Sequence, residues 1–226
     1  MGKVSARRAA VRFGRPPKGR AGEVEERILD AARKVFLERG FEGASIDQIA
    51  ALARSGKPTI YARFANKRAL FTAVATRDVV SRIEQVEIDM PTAGTANERL
   101  VTAGVAMLDW TLSSERMGMM RLAVAEVRRF PDLASTVSHT ARELSTERAA
   151  RFLGEMAQSS ELGTLPAFAP NQLPTTARFF LDLVIVPILL QALFTENLEP
   201  LRAEIGPHVA RSVAFFLAAC RNGGVT

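Results

Sequence analysis

The stretch SIDQIAALARSGKPTIYARF, residues 45–64, contains two short amphipathic segments separated by a three-residue turn. Ser45 is followed three positions later by Gln48, the spacing of a capping box, in which each side chain bonds the other residue's backbone N–H at a helix start. In the second segment Ile60 and Phe64 are four positions apart and share one helix face. Two short helices joined by such a turn predict a helix-turn-helix.

A longer amphipathic helix is predicted upstream of this pair. Ile28, Ala32 and Phe36 recur at helical spacing, and charged residues occupy the opposite face. Gly40 can end this helix, because glycine readily adopts the left-handed conformation found at helix C-termini. We therefore expect a three-helix domain over residues 23–70.

Charge is distributed unevenly along the 226 residues, which carry 30 basic and 24 acidic side chains for a net charge of +6. Residues 1–70 hold 16 basic against 7 acidic side chains, whereas residues 71–226 hold 14 against 17. This asymmetry indicates a polyanion-binding module joined to a part with a different role. A basic segment used only for solubility is the alternative.

The second short helix is expected to carry the DNA contacts. With Ile60 and Phe64 facing inward, its polar side chains face outward on an element that fits the DNA major groove. Taken singly, Tyr61 is also consistent with a half-buried core aromatic and Lys57 with an ordinary solvated lysine. Ser45, Tyr61 and Lys67 are expected to contact phosphates, and Arg15 belongs to the N-terminal arm. The predicted DNA-binding residues are Arg15, Ser45, Lys57, Thr59, Tyr61, Arg63 and Lys67.

Residues 1–22 contain seven basic and no acidic side chains. Within them FGRPPKGR, residues 13–20, resembles the Gly-Arg-Pro core of an AT-hook, whose prolines keep an arm extended so that arginine reaches the minor groove. We expect an arm that is disordered without DNA and adds affinity. A tail that never touches bases is the alternative.

Together these residues resemble the tetracycline-repressor (TetR/AcrR) family of bacterial transcription regulators. The resemblance covers about a fifth of the chain and rests on spaced positions, which are 28–32, 36, 40–41, 45–46, 49–50, 53, 57, 59–61, 64, 66–67 and 69–71. The chain departs from the family pattern at Arg54, where a turn glycine is common, and also at Ser55, Gly56, Pro58, Arg63 and Arg68. These departures leave the base contacts open.

The remaining residues, 71–226, are predicted to form a larger helical domain, so that the whole fold is all-α. A fourth helix should run from residue 67 to about Met90, roughly 35 Å at 1.5 Å per residue, and act as the lever between the two domains. Further helices are expected over residues 96–113, 115–129, 132–158, 171–196 and 206–221.

The resemblance implies that the larger domain dimerises through its last two long helices. The helix over residues 171–196 is apolar nearly all round, which independently suggests that it buries a second face against a partner subunit. Burial within a monomer is the alternative. The predicted interface residues are Phe180, Val184, Pro187, Leu190, Phe194, Val209, Val213 and Phe216.

The resemblance also implies a small-molecule pocket in this domain. Methionine and aromatic residues on the middle helices would suit an apolar or aromatic ligand with little charge, because methionine adapts to varied shapes. Each of them also fits an ordinary core position. The predicted pocket residues are Met107, Trp110, Thr111, Met117, Met120, Phe130, His139, Phe152 and Met156.

Other functional classes find little support in the sequence. Two histidines and one cysteine offer no zinc site, and nucleophile-elbow and phosphate-loop motifs are missing, so we expect no enzyme, no metal and no cofactor. The longest apolar run, residues 183–194, is interrupted by Pro187 and Gln191 and is too short for a membrane helix. We expect a cytoplasmic protein without a membrane partner.

We therefore predict a homodimeric, ligand-responsive regulator that binds double-stranded DNA sequence-specifically. It would be a repressor that an unknown small-molecule effector releases from a pseudo-palindromic operator. The alternatives are an architectural DNA-binding protein without a defined operator, and a ligand carrier whose DNA-binding module has decayed.

Overall fold

The structure is a computed structural model that describes residues 18–88, 93–158 and 161–223. These residues form helices and connecting loops without strands, which confirms the all-α prediction. The α-helices are α1 Lys18–Gly43, α2 Ile46–Leu52, α3 Lys57–Tyr61, α4 Lys67–Ile88, α5 Ala96–Thr111, α6 Ser114–Ala125, α7 Pro131–Gln158, α8 Leu173–Val184, α9 Val186–Leu193 and α10 Glu199–Arg221. Two short 3₁₀ helices, Glu161–Thr164 and Pro166–Phe168, connect α7 to α8.

The helix-turn-helix forms as its local sequence signals predict. Ser45 Oγ accepts from the Gln48 N–H at 3.2 Å, and the Ser45 N–H donates to Gln48 Oε1 at 3.0 Å, which confirms the capping box. Gly40 breaks α1 with φ +69°, and the chain then continues for three helical residues. Arg54, in the turn, has φ +49°, a left-handed conformation that costs a non-glycine residue free energy.

The N-terminal boundary of α1 differs from the expectation. The helix begins at Lys18, so residues 18–22 are helical although they belong to the predicted disordered arm. Once an amphipathic helix is nucleated, adding residues costs little, and residues 18–23 contain no proline. Arg15 and the rest of the arm lie outside the described residues.

Two separate hydrophobic cores organise the chain. The N-terminal core is centred on Ile28, Phe36, Ile60 and Phe71 and also contains Met119 of α6. The C-terminal core contains buried residues of α5 to α10. Helix α4, 22 residues and about 33 Å long, starts in the first core and runs toward the second domain.

The predicted helix over residues 171–196 is two helices, α8 and α9, which meet at an angle of 42°. Pro187 has no N–H, so the Leu183 carbonyl lacks its usual partner four residues later. Ser212 Oγ of α10 donates to that carbonyl at 3.3 Å, and His208 Nε2 lies 3.0 Å from the neighbouring Val184 carbonyl oxygen. In the described ranges no single helix has the length and hydropathy of a membrane span, and only the bent α8–α9 pair reaches them together.

Candidate nucleic-acid interface and ligand cavity

Helix α3 presents a short exposed ridge. Ile60 is fully buried, whereas Tyr61 is 51% exposed and is therefore not a core aromatic. Pro58 and Ala62 are also exposed, four positions apart. Sequence reasoning did not select these two residues because they carry no polar group, yet apolar side chains contact the thymine methyl in the major groove.

Lys57 on this ridge is paired within the domain. Its Nζ lies 2.8 Å from Asp47 Oδ1 at the start of α2, and both side chains are mostly exposed. The hydrogen bond and the attraction to Asp47 raise the pKa of Lys57. Lys57 must therefore give up its ion pair with Asp47 before it can contact a phosphate or a base. Asp47 also places a negative charge where DNA would approach.

Three other predicted DNA-binding residues, Ser45, Arg63 and Lys67, make contacts within the domain. Ser45 caps α2, as described above. Lys67 Nζ donates to the Glu42 and Ala44 carbonyls, at 3.3 and 3.0 Å. Arg63 is half-buried and donates from Nη1 to the Thr59 carbonyl at 3.2 Å. Contacts of these residues with DNA remain predictions. Lys57, Thr59 and Tyr61 all lie on the short helix α3.

A cavity of about 570 Å³ lies in the larger domain, between α5, α6, α7, α8 and α9. This volume is within the range of small-molecule sites. Four of the nine predicted pocket residues line it, namely Met107, Thr111, Met120 and Phe152.

The other five do not line it. Phe130 packs in the N-terminal core, 4.9 Å from the ring of Phe41. Met117 and Met156 are buried in the C-terminal core. The Arg116 guanidinium covers the ring of Trp110 at 3.2 Å. His139 is 73% exposed, and its Nδ1 lies 3.1 Å from a Glu143 carboxylate oxygen.

Charged side chains that were not predicted also line the cavity. They come from α7 and α8 and are Arg142, Arg148, Arg151, Glu155, Arg178 and Asp182. The expectation of a ligand with little charge rests mainly on methionine and aromatic residues of the middle helices. Which polar residues reach a cavity depends on how several helices pack, and their spacing along the chain does not contain this information.

The predicted dimer residues divide into two groups. Phe180, Val184, Val209, Val213 and Phe216 are buried within the subunit and cannot form a surface, since α8 and α10 pack on each other through them. Pro187, Leu190 and Phe194 are exposed, Phe194 at 86%. The structure adds Phe179, Val186 and Phe215, the last 67% exposed. We call Phe179, Val186, Pro187, Leu190, Phe194 and Phe215 the apolar face.

Helix α6 belongs to both domains. Met119 is buried in the N-terminal core, and Met120, the next residue, lines the cavity. Ala123 packs against the N-terminal core and lines the cavity, and Val137 of α7 does the same. The Arg121 side chain donates to the carbonyls of Ala192, at 2.7 Å, and Thr195, which ties α6 to the end of α9.

An ion-pair network joins α6 to α1 and α4. Arg33 of α1 contacts Asp78 of α4 through Nε at 2.9 Å and Glu115 of α6 through Nη1 at 2.7 Å. Burial raises the pKa of Asp78 and outweighs the attraction to Arg33. Burial lowers the pKa of Arg33, but attraction to Asp78 and Glu115 outweighs it, so the net shift is upward.

Arg33→Gln is expected to lower the free energy of unfolding by about 1–3 kcal/mol, because Asp78, only 17% exposed, would lose the guanidinium that contacts it at 2.9 Å. Asp78→Asn should change it by less than about 1 kcal/mol at neutral pH. The substitution replaces a carboxylate that burial disfavours by a neutral amide. Arg33 retains its ion pair with Glu115. Urea unfolding of the two variants compares these costs directly.

The same variants have a defined pH dependence. Because the pKa of Asp78 is raised by folding, protonated Asp78 contributes stability that is complete below its unfolded pKa of about 4 and is lost as pH rises through the folded pKa. The wild type should therefore lose stability relative to Asp78→Asn between pH 4 and neutral pH. A relative gain over this range would show that the attraction to Arg33 outweighs burial.

Comparison with known proteins identifies the family. Residues 28–74 match the family described as bacterial regulatory proteins, tetR family. Residues 98–222, more than half of the chain, match the AefR-like transcriptional repressor C-terminal domain. The chain belongs to the tetR family. Proteins of this family are transcriptional regulators rather than enzymes; they bind DNA operators, act as dimers and bind small-molecule ligands.

Individual tetR-family relatives agree with this placement. The transcriptional activator FasR of Mycolicibacterium smegmatis is 35% identical over 83 residues, which cover 37% of this chain and 38% of FasR. The chain thus matches little more than a third of that protein's length. The repressor BepR of Brucella suis is 27% identical over 155 residues, 67% of this chain and 73% of BepR.

A solved structure shares the fold. A TetR-family regulator from Mesorhizobium loti superposes with a TM-score of 0.76 at 23% identity, covering 88% of this chain and 98% of the other. Among the described residues, no group of three or more histidine, cysteine or acidic side chains is placed to hold a metal ion.

Proposed function

We propose that this tetR-family regulator is a homodimeric repressor that binds a pseudo-palindromic operator through α3 and leaves it when a small-molecule effector fills the cavity. Each subunit would read one half-site, so the two-fold symmetry of the dimer would be matched by the operator. The apolar face on α8 to α10 would form the subunit interface.

The proposal rests on helix α6, which contributes residues both to the N-terminal core and to the cavity lining. Met119 and Met120 are adjacent in sequence, and one is buried in the DNA-binding domain while the other lines the cavity. A ligand that displaces the Met120 side of α6 therefore acts directly on the N-terminal core. Helix α4, joined to α6 through Arg33, would carry the change to the spacing of the two α3 helices.

The ligand needs a modest preference between two states. A ratio of about 100 between its affinities for the free and the operator-bound conformers, about 2.7 kcal/mol, would give a clear response. Any ligand that binds both conformers equally would leave operator binding unchanged.

The proposal is tested with the purified protein and a labelled duplex from its own upstream intergenic region, at physiological salt with excess non-specific competitor DNA. A competitor-resistant complex with two subunits per duplex supports operator-specific repression and provides the assay for effectors. Selection from random duplexes follows if this region does not bind. A selection that yields no consensus would favour an architectural DNA-binding protein.

Asp47→Asn is expected to tighten operator binding about three- to tenfold at physiological salt, because it removes a negative charge beside the phosphates and frees Lys57. Lys57→Ala should act in the opposite direction and reduce the salt slope by about one unit. Titrations of a fluorescent duplex at several salt concentrations measure both effects.

Glu143→Gln, on α7, is the matched control for the Asp47 experiment, because it makes the same change in net charge at an exposed position of the larger domain. It should leave the operator affinity unchanged. Equal affinities of Asp47→Asn and the wild type would show that neither the charge of Asp47 nor its pairing with Lys57 limits operator binding.

A further inference from the structure

The charges around the cavity are unbalanced and come from only two of its helices. The lining contains four arginines, Arg142, Arg148, Arg151 and Arg178, but only two carboxylates, those of Glu155 and Asp182. All six belong to α7 and α8. The lining residues from α5, α6 and α9 are uncharged.

Two of these arginines are available to a ligand. In the part of the chain that the structure describes, neither Arg142 nor Arg178 forms an ion pair or donates a side-chain hydrogen bond. Arg151, by contrast, lies 3.5 Å from Glu147. A guanidinium offers a planar fork of donors that matches the two oxygens of a carboxylate.

The part of the lining that comes from α5, α6 and α9 suits an apolar group. This part is lined by Met107 of α5 and by Met120 and Val124 of α6. Ile185, which precedes α9, and Leu189, within α9, also line it. Unbranched methionine side chains adjust to aliphatic or aromatic shapes. A ligand that matches both parts of the lining must have an apolar body and an acidic group at one end.

We infer that the effector is an amphipathic organic anion, with its acidic group at the arginines of α7 and α8 and its apolar body against α5, α6 and α9. This inference rests on the proposed function, in which the cavity is the effector site. It replaces the expectation of a ligand with little charge, which was drawn from the apolar residues alone. The negative charge of the ligand would also offset the excess positive charge of the lining, in which the arginines outnumber the carboxylates.

Isothermal titration calorimetry on the full-length protein without DNA tests the inference with three probes that share one apolar body. Decanoate, 1-decanol and decylammonium, each below its aggregation concentration, differ in the charge of the head group. Decanoate should bind about tenfold or more tightly than decanol, and decylammonium should bind most weakly.

Variants then identify the groups responsible. Arg142→Gln and Arg178→Gln should each weaken decanoate binding about three- to tenfold and leave decanol binding unchanged. Asp182→Asn should strengthen decanoate binding, because it removes a like charge. Arg128→Gln is the matched control, since Arg128 is exposed and lies outside the cavity lining.

Three results would overturn the inference: absence of decanoate binding, equal affinities for decanoate and decanol, or an equal loss of decanoate affinity in Arg128→Gln and Arg142→Gln. Because the titration contains no DNA, it separates this inference from the proposed function. Arginine-dependent binding of decanoate by a protein that no effector releases from its operator would overturn the proposed function alone. Release by uncharged compounds only would overturn the anionic class alone.

Discussion

Phe36→Ala is expected to lower the free energy of unfolding of the DNA-binding domain by about 3–5 kcal/mol and to abolish operator binding. Phe36 is fully buried, and its ring lies 5.0 Å from Phe71 and 6.0 Å from Phe41. Removing the ring leaves a cavity in this packed core, which the neighbouring side chains can fill only in part. A loss of this size is comparable with the whole stability of a small domain.

The larger domain should retain its structure in this variant, because its core is separate from that of Phe36. Trp110 is the only tryptophan, and it lies on α5 of the larger domain. Urea unfolding followed by tryptophan fluorescence therefore reports that domain, while far-ultraviolet circular dichroism reports the helices of both. Loss of helix signal should precede the fluorescence change.

Phe36→Leu is the control, because it keeps most of the buried volume, and it should cost clearly less and retain operator binding. Coincident transitions of the two signals in Phe36→Ala would contradict the prediction. They would show that Met119 and the other shared contacts of α6 make the two domains unfold as one unit.

The helix-turn-helix could be predicted from sequence because its signals are local. A capping box depends on two residues three positions apart. The four-residue spacing of Ile60 and Phe64 determines which side of α3 faces inward. The turn residue Arg54 shows the limit of this reasoning. Its departure from glycine was visible, but the sequence could not show that the chain keeps the left-handed conformation there.

The apolar face and the cavity depend on contacts between distant helices, which periodicity does not contain. Phe179 and Phe180 are adjacent, as are Phe215 and Phe216, and the sequence assigned the second of each pair to the subunit surface. The structure buries those two against each other, with ring centroids 5.4 Å apart. Adjacent residues of a helix point only about 100° apart, so the sequence does not decide which phenylalanine of each pair faces the subunit core.

Phe215→Glu is expected to raise the dissociation constant of the proposed dimer about 100-fold or more, because a carboxylate would replace the aromatic side chain within an interface and lose its hydration. Phe215 is 67% exposed in the subunit, so the substitution should cost little in the stability of the isolated subunit. Sedimentation velocity over a range of protein concentrations measures the dissociation constant.

Operator binding should weaken together with dimerisation, because a monomer contacts one half-site and loses the second set of phosphate and base contacts. Leu52→Glu makes a similar change at an exposed apolar position of α2 and should leave the sedimentation behaviour unchanged. A Phe215→Glu protein that remains dimeric at the wild-type concentrations would place the subunit interface outside the apolar face. Weak operator binding by such a dimer would then have to arise from the orientation of the two α3 helices rather than from loss of the partner subunit.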